Sequence, residues 1–257
     1  MKDLSISIVI YKNYDDVKHA IDSIEGKTTN KIDKRIYIID NGTEVSNPND
    51  ITKFKKYISK YKDISYIDAN QNLGFGKGHN YVIDRIDSKY HAIVNPDIIL
   101  VEDSFKKIID FFEKNDDIGM VIPKIIDENG NIQKVYRREV KISDMFLRRF
   151  FSKLFPSRMA AITLQNMDYS KPFQVPFGQG SFLVIKSELF KDLKGFDERF
   201  FMYMEDADLC KRVNQVSKLI YCPETKVIHK WEKGSHKNIT LFKYHVQSMF
   251  KYFKKWR

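Results

Sequence analysis

Strand-length apolar runs alternate with segments of helical period through roughly the first half of the chain, and that alternation restricts it to a small group of architectures. Ile6–Ile10 reads as a buried strand, and behind it Val17, Ala20, Ile21 and Ile24 recur at helical spacing up to Gly26. Arg35–Ile39 is a second strand ending in the turn signal Asp40-Asn41-Gly42, and Ile51, Phe54 and Ile58 share a helical face after it. Ile64–Ile67 is a third strand, followed by the glycine-rich stretch Asn70–Asn80 and a helix through Ile83 and Ile86. His91–Val94 is the fourth, closed by Asn95-Pro96-Asp97, with Phe105, Ile108, Ile109 and Phe112 on the helix behind it. This pattern predicts an α/β fold, a mostly parallel sheet flanked by helices. In such sheets ligands bind beyond the carboxyl ends of the strands, so Asp40, the glycine-rich loop and Asp97 are expected on one edge.

The second half is less regular. Met120–Ile122, Phe182–Ile185, Lys218–Tyr221 and Lys226–Ile228 are strand candidates, with helices expected near 143–155, 205–214 and 239–254. No repeat, low-complexity tract or linker interrupts the chain. The simplest organisation is one domain over 1–238, with halves at about 1–100 and 101–238, and a helical tail over 239–257.

Its 257 residues suffice for a full core, and the longest apolar runs are far too short for a bilayer crossing. No signal-peptide pattern opens the sequence, so a cytoplasmic location is expected. Cys210 and Cys222 lie in unlike contexts without metal spacing and read as free thiols. Lys and Arg number 44 against 34 for Asp and Glu, and the excess gathers in Lys134–Arg158 and Lys243–Arg257. Such patches suit nucleic acid, anionic lipid or a polyanionic substrate. The tail sets Phe242, Val246, Met249, Phe250, Phe253 and Trp256 near helical spacing and ends in Lys254, Lys255 and Arg257. A basic amphipathic helix of this kind either lies on an anionic bilayer or docks its apolar face on the core. Apolar helices in the second half could also pair two chains into a homodimer.

Several constellations carry chemistry. Glu205-Asp206-Ala207-Asp208 follows the aromatic and Met run Phe200–Met204, an apolar wall that can raise a carboxylate toward a working base; the same acids also suit a first helical turn. Asp40 closes a buried strand, where it can accept from a base N–H or a ribose hydroxyl or simply close an Asn-Gly turn. Asn72–Asn80 packs Gly74, Gly76 and Gly78 ahead of a helix, so the backbone can approach a phosphate or ribose, although the pattern is neither a Walker loop nor GxGxxG. Asp97 is placed to offer oxygen to Mg²⁺ or Mn²⁺, ions that need only one or two carboxylates besides substrate phosphates. His229 follows the last strand candidate, with Trp231 close behind.

Taken in order, the first strand, Asp-Asn-Gly, Asn-x-Gly-Phe-Gly-x-Gly-x-Asn, Asn-Pro-Asp, Gly-Phe-Asp-Glu-x-Phe-Phe, Glu-Asp-x-Asp-Leu and a late His resemble the family 2 glycosyltransferases of the GT-A fold, from about Ile6 to Ser235. The glycine-rich loop with Asn-Pro-Asp is similar to rhamnosyltransferase-type members that use dTDP-rhamnose to build bacterial surface polysaccharide. The resemblance implies a Rossmann-like sheet, and a donor site of Tyr11, Asp40, Asn72, Gly74, Gly76, Gly78, Asn80, Asn95 and Asp97. Asp40 would hold the nucleotide base, and Asn72–Asn80 the nucleoside and diphosphate. Asp97 corresponds to the last Asp of the family's Asp-x-Asp, and Asn95 stands where the family has the first. His229 matches a position that helps hold the metal, Mg²⁺ or Mn²⁺, or the diphosphate. Asp206 matches the base, with Glu205 and Asp208 as helpers. The implied partners are a dTDP- or UDP-linked sugar and a lipid-linked saccharide, handled by an inverting enzyme peripheral to the inner face of the plasma membrane. A nucleic-acid-binding protein would leave Asp40, Asp97 and Asp206 unexplained, because clustered carboxylates repel phosphate. A catalytically silent sugar-nucleotide binder would have no use for Glu205-Asp206.

Overall fold

The computed structural model describes every residue except 145, 146, 148–150, 152 and 231–238. Its centre is a nine-stranded sheet. Strands β1 (Lys2–Ile10), β2 (Lys34–Asp40), β3 (Ile64–Asp68) and β4 (Ser88–Val94) pair in parallel in the order β3-β2-β1-β4, with α1 (Tyr14–Lys27) and α2 (Pro48–Ile58) among their connections. The register aligns Ile10 with Asp40 and Asp40 with Asp68, so these strand ends form one edge. Leu4, Ile6, Ile8 and Ile10 are fully buried, as expected for a strand covered on both faces.

Beyond β4 the sheet departs from the mostly parallel arrangement the alternation predicts. The remaining strands are β5 (Ile98–Leu100), β6 (Met120–Ile126), β7 (Tyr136–Arg137), β8 (Phe173–Gln174), β9 (Phe177–Gly178), β10 (Phe182–Lys186) and β11 (Leu219–His229). β10 inserts antiparallel between β4 and β6, pairing Phe182 with Val94 and Val184 with Val121. The two late strand candidates are one strand, β11, with a bulge between Cys222 and Lys226. That strand ends by pairing His229 with Ile98 of β5. The segment expected as a helix near 143–155 falls partly on undescribed residues, and α5 begins later, at Pro156–Ile162, after α3 (Phe75–Asn80) and α4 (Ser104–Glu113). The short α6 (Ser187–Asp192) has no clear periodic signal, whereas α7 (Glu205–Val216) and α8 (Ile239–Lys255) lie close to the expected spans. Both cysteines are buried and free.

Two polar networks lie inside this core. On the alternate face of β1, Ser5 bonds His91 Nδ1 at 2.7 Å, and Ser7 bonds both His91 Nε2 at 3.0 Å and His79 Nδ1 at 2.7 Å. Full burial holds both imidazoles neutral and pushes His79 and His91 down to about 3. The second network docks the tail. Asp208, completely buried, accepts from Arg212 Nε at 2.8 Å, Lys255 Nζ at 2.6 Å and Trp256 Nε1 at 2.9 Å. Lys255 also reaches Asp197 at 2.7 Å, and Tyr252 is buried. Of the two readings of the tail, docking on the core is therefore correct for this face of α8.

Two outcomes follow. Asp208→Ala leaves Arg212 Nε and Trp256 Nε1 without their acceptor and removes one of the two carboxylates on Lys255; it should cost about 3–5 kcal/mol, seen as a lower urea midpoint with α8 released to limited proteolysis, and an unchanged midpoint contradicts the docking. The histidines, neutral when folded but with an ordinary value of 6.5 when unfolded, contribute stability that is complete above pH 6.5 and lost as pH falls toward 3. At pH 5 the loss is about 2 kcal/mol per histidine. Urea melts at pH 7.5 and 5 should diverge more in the wild type than in His91→Gln; parallel losses contradict the account.

Candidate active site

The glycine-rich segment is explained by contacts with the protein itself. Gly74 adopts φ +77°, and a Cβ there would collide with the Phe201 carbonyl. A Cβ on Gly76 would lie 2.8 Å from Phe196 Cβ, and one on Gly78 would lie 2.9 Å from Val9 Cγ2. The three glycines thus let α3 nest between β1 and the 196–205 segment. Phe75 N–H donates to Phe201 O at 3.1 Å, and Asn72 Oδ1 accepts from Gly74 N at 3.0 Å. Asn80 is a clasp: its amide donates to Phe196 O and accepts from Phe196 N, both at 2.8 Å.

At the neighbouring strand ends Asp40 is fully buried, and both of its oxygens are already engaged. Oδ1 accepts from Gly42 N at 2.8 Å; Oδ2 accepts from Tyr14 at 2.8 Å and Tyr66 at 2.7 Å. Burial and this carboxylate push the Tyr14 hydroxyl up to about 12 and Tyr66 further in the same direction. Asp40 therefore ties α1 and β3 to this edge, with Oδ1 accepting a single bond. The next residue, Asn41, donates to Gly74 O at 2.8 Å, while its Oδ1 is buried without a partner. Tyr11, just beyond β1, is 47% exposed.

The antiparallel pairing of β5 with β11 brings together the two residues assigned to the metal. His229 Nε2 lies 3.3 Å from Asp97 Oδ2. Gln133 donates its amide to His229 O at 2.7 Å, which turns its Oε1 to His229 Nδ1 at 3.0 Å, so Nδ1 is the donor in that bond. His229 Nε2 and Asp97 Oδ1 are both buried without a hydrogen-bond partner. An imidazole nitrogen and a carboxylate at that distance are donor types that can hold a divalent cation. Among the described residues no group of three or more His, Cys, Asp or Glu is arranged to hold a metal. A hard divalent ion on Asp97 and His229 would complete its shell with substrate and water oxygens. Asn95 is tied to the adjoining loop, its N–H donating to Ser181 O at 2.8 Å.

Across that loop lies the acid pair. Tyr203 and Met204 both adopt left-handed conformations, φ 68° and 69°, and turn the chain into α7 so that Glu205 and Asp206 begin the helix. Asp206 accepts from Ala207 N at 2.8 Å and Gly180 N at 3.2 Å. Burial raises its pKa, opposed by those amides and by the positive charge of Arg137. Glu205 is 4% exposed, with Oε2 unpartnered, and burial together with the charge of Asp206 raises it well above the usual carboxylate range. Of the pair, Glu205 has the larger rise, because the charge of Asp206 adds to its burial, whereas backbone amides and Arg137 counter the rise at Asp206. Asp208, on the opposite side of the helix start, is committed to the tail. Gln133, Arg137 and Gly180 escaped the sequence reading because they are ordinary residue types with no motif of their own, and Asn41 was read only as part of the Asp40-Asn41-Gly42 turn.

Comparison with known proteins agrees with this geometry. The family model described as Glycosyl transferase family 2 matches residues 5–194. Rhamnosyltransferase WbbL of Escherichia coli K12 is 25% identical over 259 residues, covering 96% of this chain and 91% of that protein. The N-acetylglucosaminyl-diphospho-decaprenol L-rhamnosyltransferase of Mycobacterium tuberculosis is 24% identical over 208 residues, 76% of this chain, and the match spans 66% of the mycobacterial protein's length. Among solved structures, GalNAc-T7 with UDP, GalNAc and Mn²⁺ superposes with a TM-score of 0.69 at 16% identity, covering 93% of this chain and 45% of that one. The mannosyltransferase PcManGT of Pyrobaculum calidifontis, in complex with GDP-Man and Mn²⁺, gives 0.66 at 12%, covering 99% and 66%. The fold is GT-A, and with the family model covering most of its length, this chain belongs to glycosyl transferase family 2.

Proposed function

We propose that the chain is an inverting glycosyltransferase that moves rhamnose from dTDP-rhamnose to a hydroxyl of a lipid-linked polysaccharide precursor, with Asp206 as general base. A UDP-linked sugar is the alternative donor. The observation that carries this reading is the loop of Gly180 and Ser181, whose one end binds Asp206 and whose other binds Asn95, two residues from Asp97. One short loop thus links a carboxylate of raised pKa to the strand end that leads to Asp97. The rhamnosyltransferase names of the two relatives support the donor.

On the donor side, Tyr11 offers an exposed ring for a nucleotide base to stack on, and Asn41 Oδ1 an acceptor for a base or ribose donor. Asp97 and His229 would hold Mg²⁺ or Mn²⁺, which offsets the charge developing on the departing diphosphate. On the acceptor side, Asp206 takes the proton of the attacking hydroxyl. The new bond to the anomeric carbon forms from the face opposite the phosphate as the sugar–phosphate bond breaks, and the nucleoside diphosphate leaves. Arg137 keeps Asp206 ionised in an environment that favours its neutral form, while Glu205 keeps its own proton and adds no second negative charge. An acceptor on a lipid carrier puts the reaction at a membrane surface, so peripheral attachment to the inner face of the plasma membrane belongs to this reading.

A panel of dTDP-, UDP- and GDP-linked sugars with a lipid-linked acceptor and Mn²⁺ tests it. Turnover should be greatest with dTDP-rhamnose, and Asp206→Asn should lower kcat about a hundredfold or more while nucleotide binding is retained in calorimetry. Near-normal turnover in Asp206→Asn would refute the base assignment.

A further inference from the structure

The two sides of α8 face different surroundings. Its inner side grips the core: Ser248 donates to Met202 O at 2.8 Å, Lys251 to Arg199 O at 2.6 Å, and the rings of Tyr244 and His245 pack on Phe201 and Tyr203 at 4.7 and 5.0 Å. These contacts fall on the run that leads into Glu205-Asp206. The outer side leaves Ile239 74%, Phe242 48% and Phe250 69% exposed, with Val246 partly exposed between them. The spacing of three and four residues makes these side chains one stripe along a helix that already has a buried face. From Ile239 to Arg257 the chain contains no Asp or Glu. Lys255 is tied to the core, whereas Lys243, Lys254 and Arg257 are exposed.

An apolar stripe of this kind is unfavourable in water and marks a surface that becomes covered. A second copy seated on it would set Lys243 and Lys254 against like charges, which costs free energy. An anionic bilayer takes up the apolar side chains and the cations together. We infer that the outer face of α8, Ile239, Phe242, Val246 and Phe250 flanked by Lys243 and Lys254, is a docking surface for an anionic lipid membrane. The inference deepens the proposed transfer to a lipid-linked acceptor and rests on it for its purpose, because the helix that meets the bilayer is the one that holds the segment ahead of the base.

The test is flotation of the intact chain with vesicles of phosphatidylcholine alone or mixed with phosphatidylglycerol. The wild type should float with the mixed vesicles, remain below the neutral ones, and be released by high salt. Ile239→Glu combined with Phe250→Glu should lower the bound fraction about tenfold or more. Its urea midpoint should be unchanged, because both side chains are largely exposed. A wild type that stays below anionic vesicles at low salt, or a double variant that floats as well as the wild type, would overturn the inference. So would a dimer in sedimentation that the double variant dissolves, which would assign the face to a second copy. Flotation needs no sugar nucleotide, so its failure leaves the transfer reading intact, and a failure of turnover leaves the docking surface standing.

Discussion

The site depends on the close approach of α3 to the segment that carries the acid pair. Phe75 N–H meets Phe201 O, Asn41 meets Gly74 O, and Asn80 clasps Phe196 through both of its amide groups. Side chains at Gly74, Gly76 or Gly78 would force this seam apart, because an added Cβ would meet the Phe201 carbonyl, Phe196 Cβ or the Val9 methyls. The seam joins the parallel strands to the segment that leads into the helix bearing Asp206. The loop at Gly180 ties the same helix start to Asn95.

The candidate site residues were legible in the sequence, and their surroundings were not. Asp97, His229 and Asp206 stand out because acid or imidazole at the end of an apolar run is costly unless it has a task. Their order along the chain added what no single motif carried. Asp40 carries the same signal, and the sequence did not show that Tyr14 and Tyr66 donate to it from a helix and a neighbouring strand. Asn41, one position further, has the unsatisfied oxygen. The donor role of His229 Nδ1 is set by Gln133, which lies 96 residues away in sequence, and Arg137 reaches Asp206 only through the short ribbon of β7 and β9. In the fold, the parallel half followed from period and turn signals. The antiparallel insertion of β10 did not, because a short apolar run has no direction until its neighbours are known.

The tail shows how an amphipathic pattern can hold two messages. Its periodic apolar residues suggested one face; the structure divides them, with Phe253 and Trp256 packed against the core and Phe242 and Phe250 exposed. Asp208, which looked like a third member of the acid cluster, is the buried anchor of that helix. The acidic run therefore separates into two tasks on opposite sides of one helix start, Glu205 and Asp206 toward the site and Asp208 toward the tail.

The central proposal is that one carboxylate, Asp206, acts as the base toward the acceptor in a single displacement. The anomeric configuration of the transferred sugar, read by proton NMR of the product before any further reaction, tests this most directly. The account predicts inversion relative to the sugar nucleotide consumed. Retention would contradict a single displacement with Asp206 as its base.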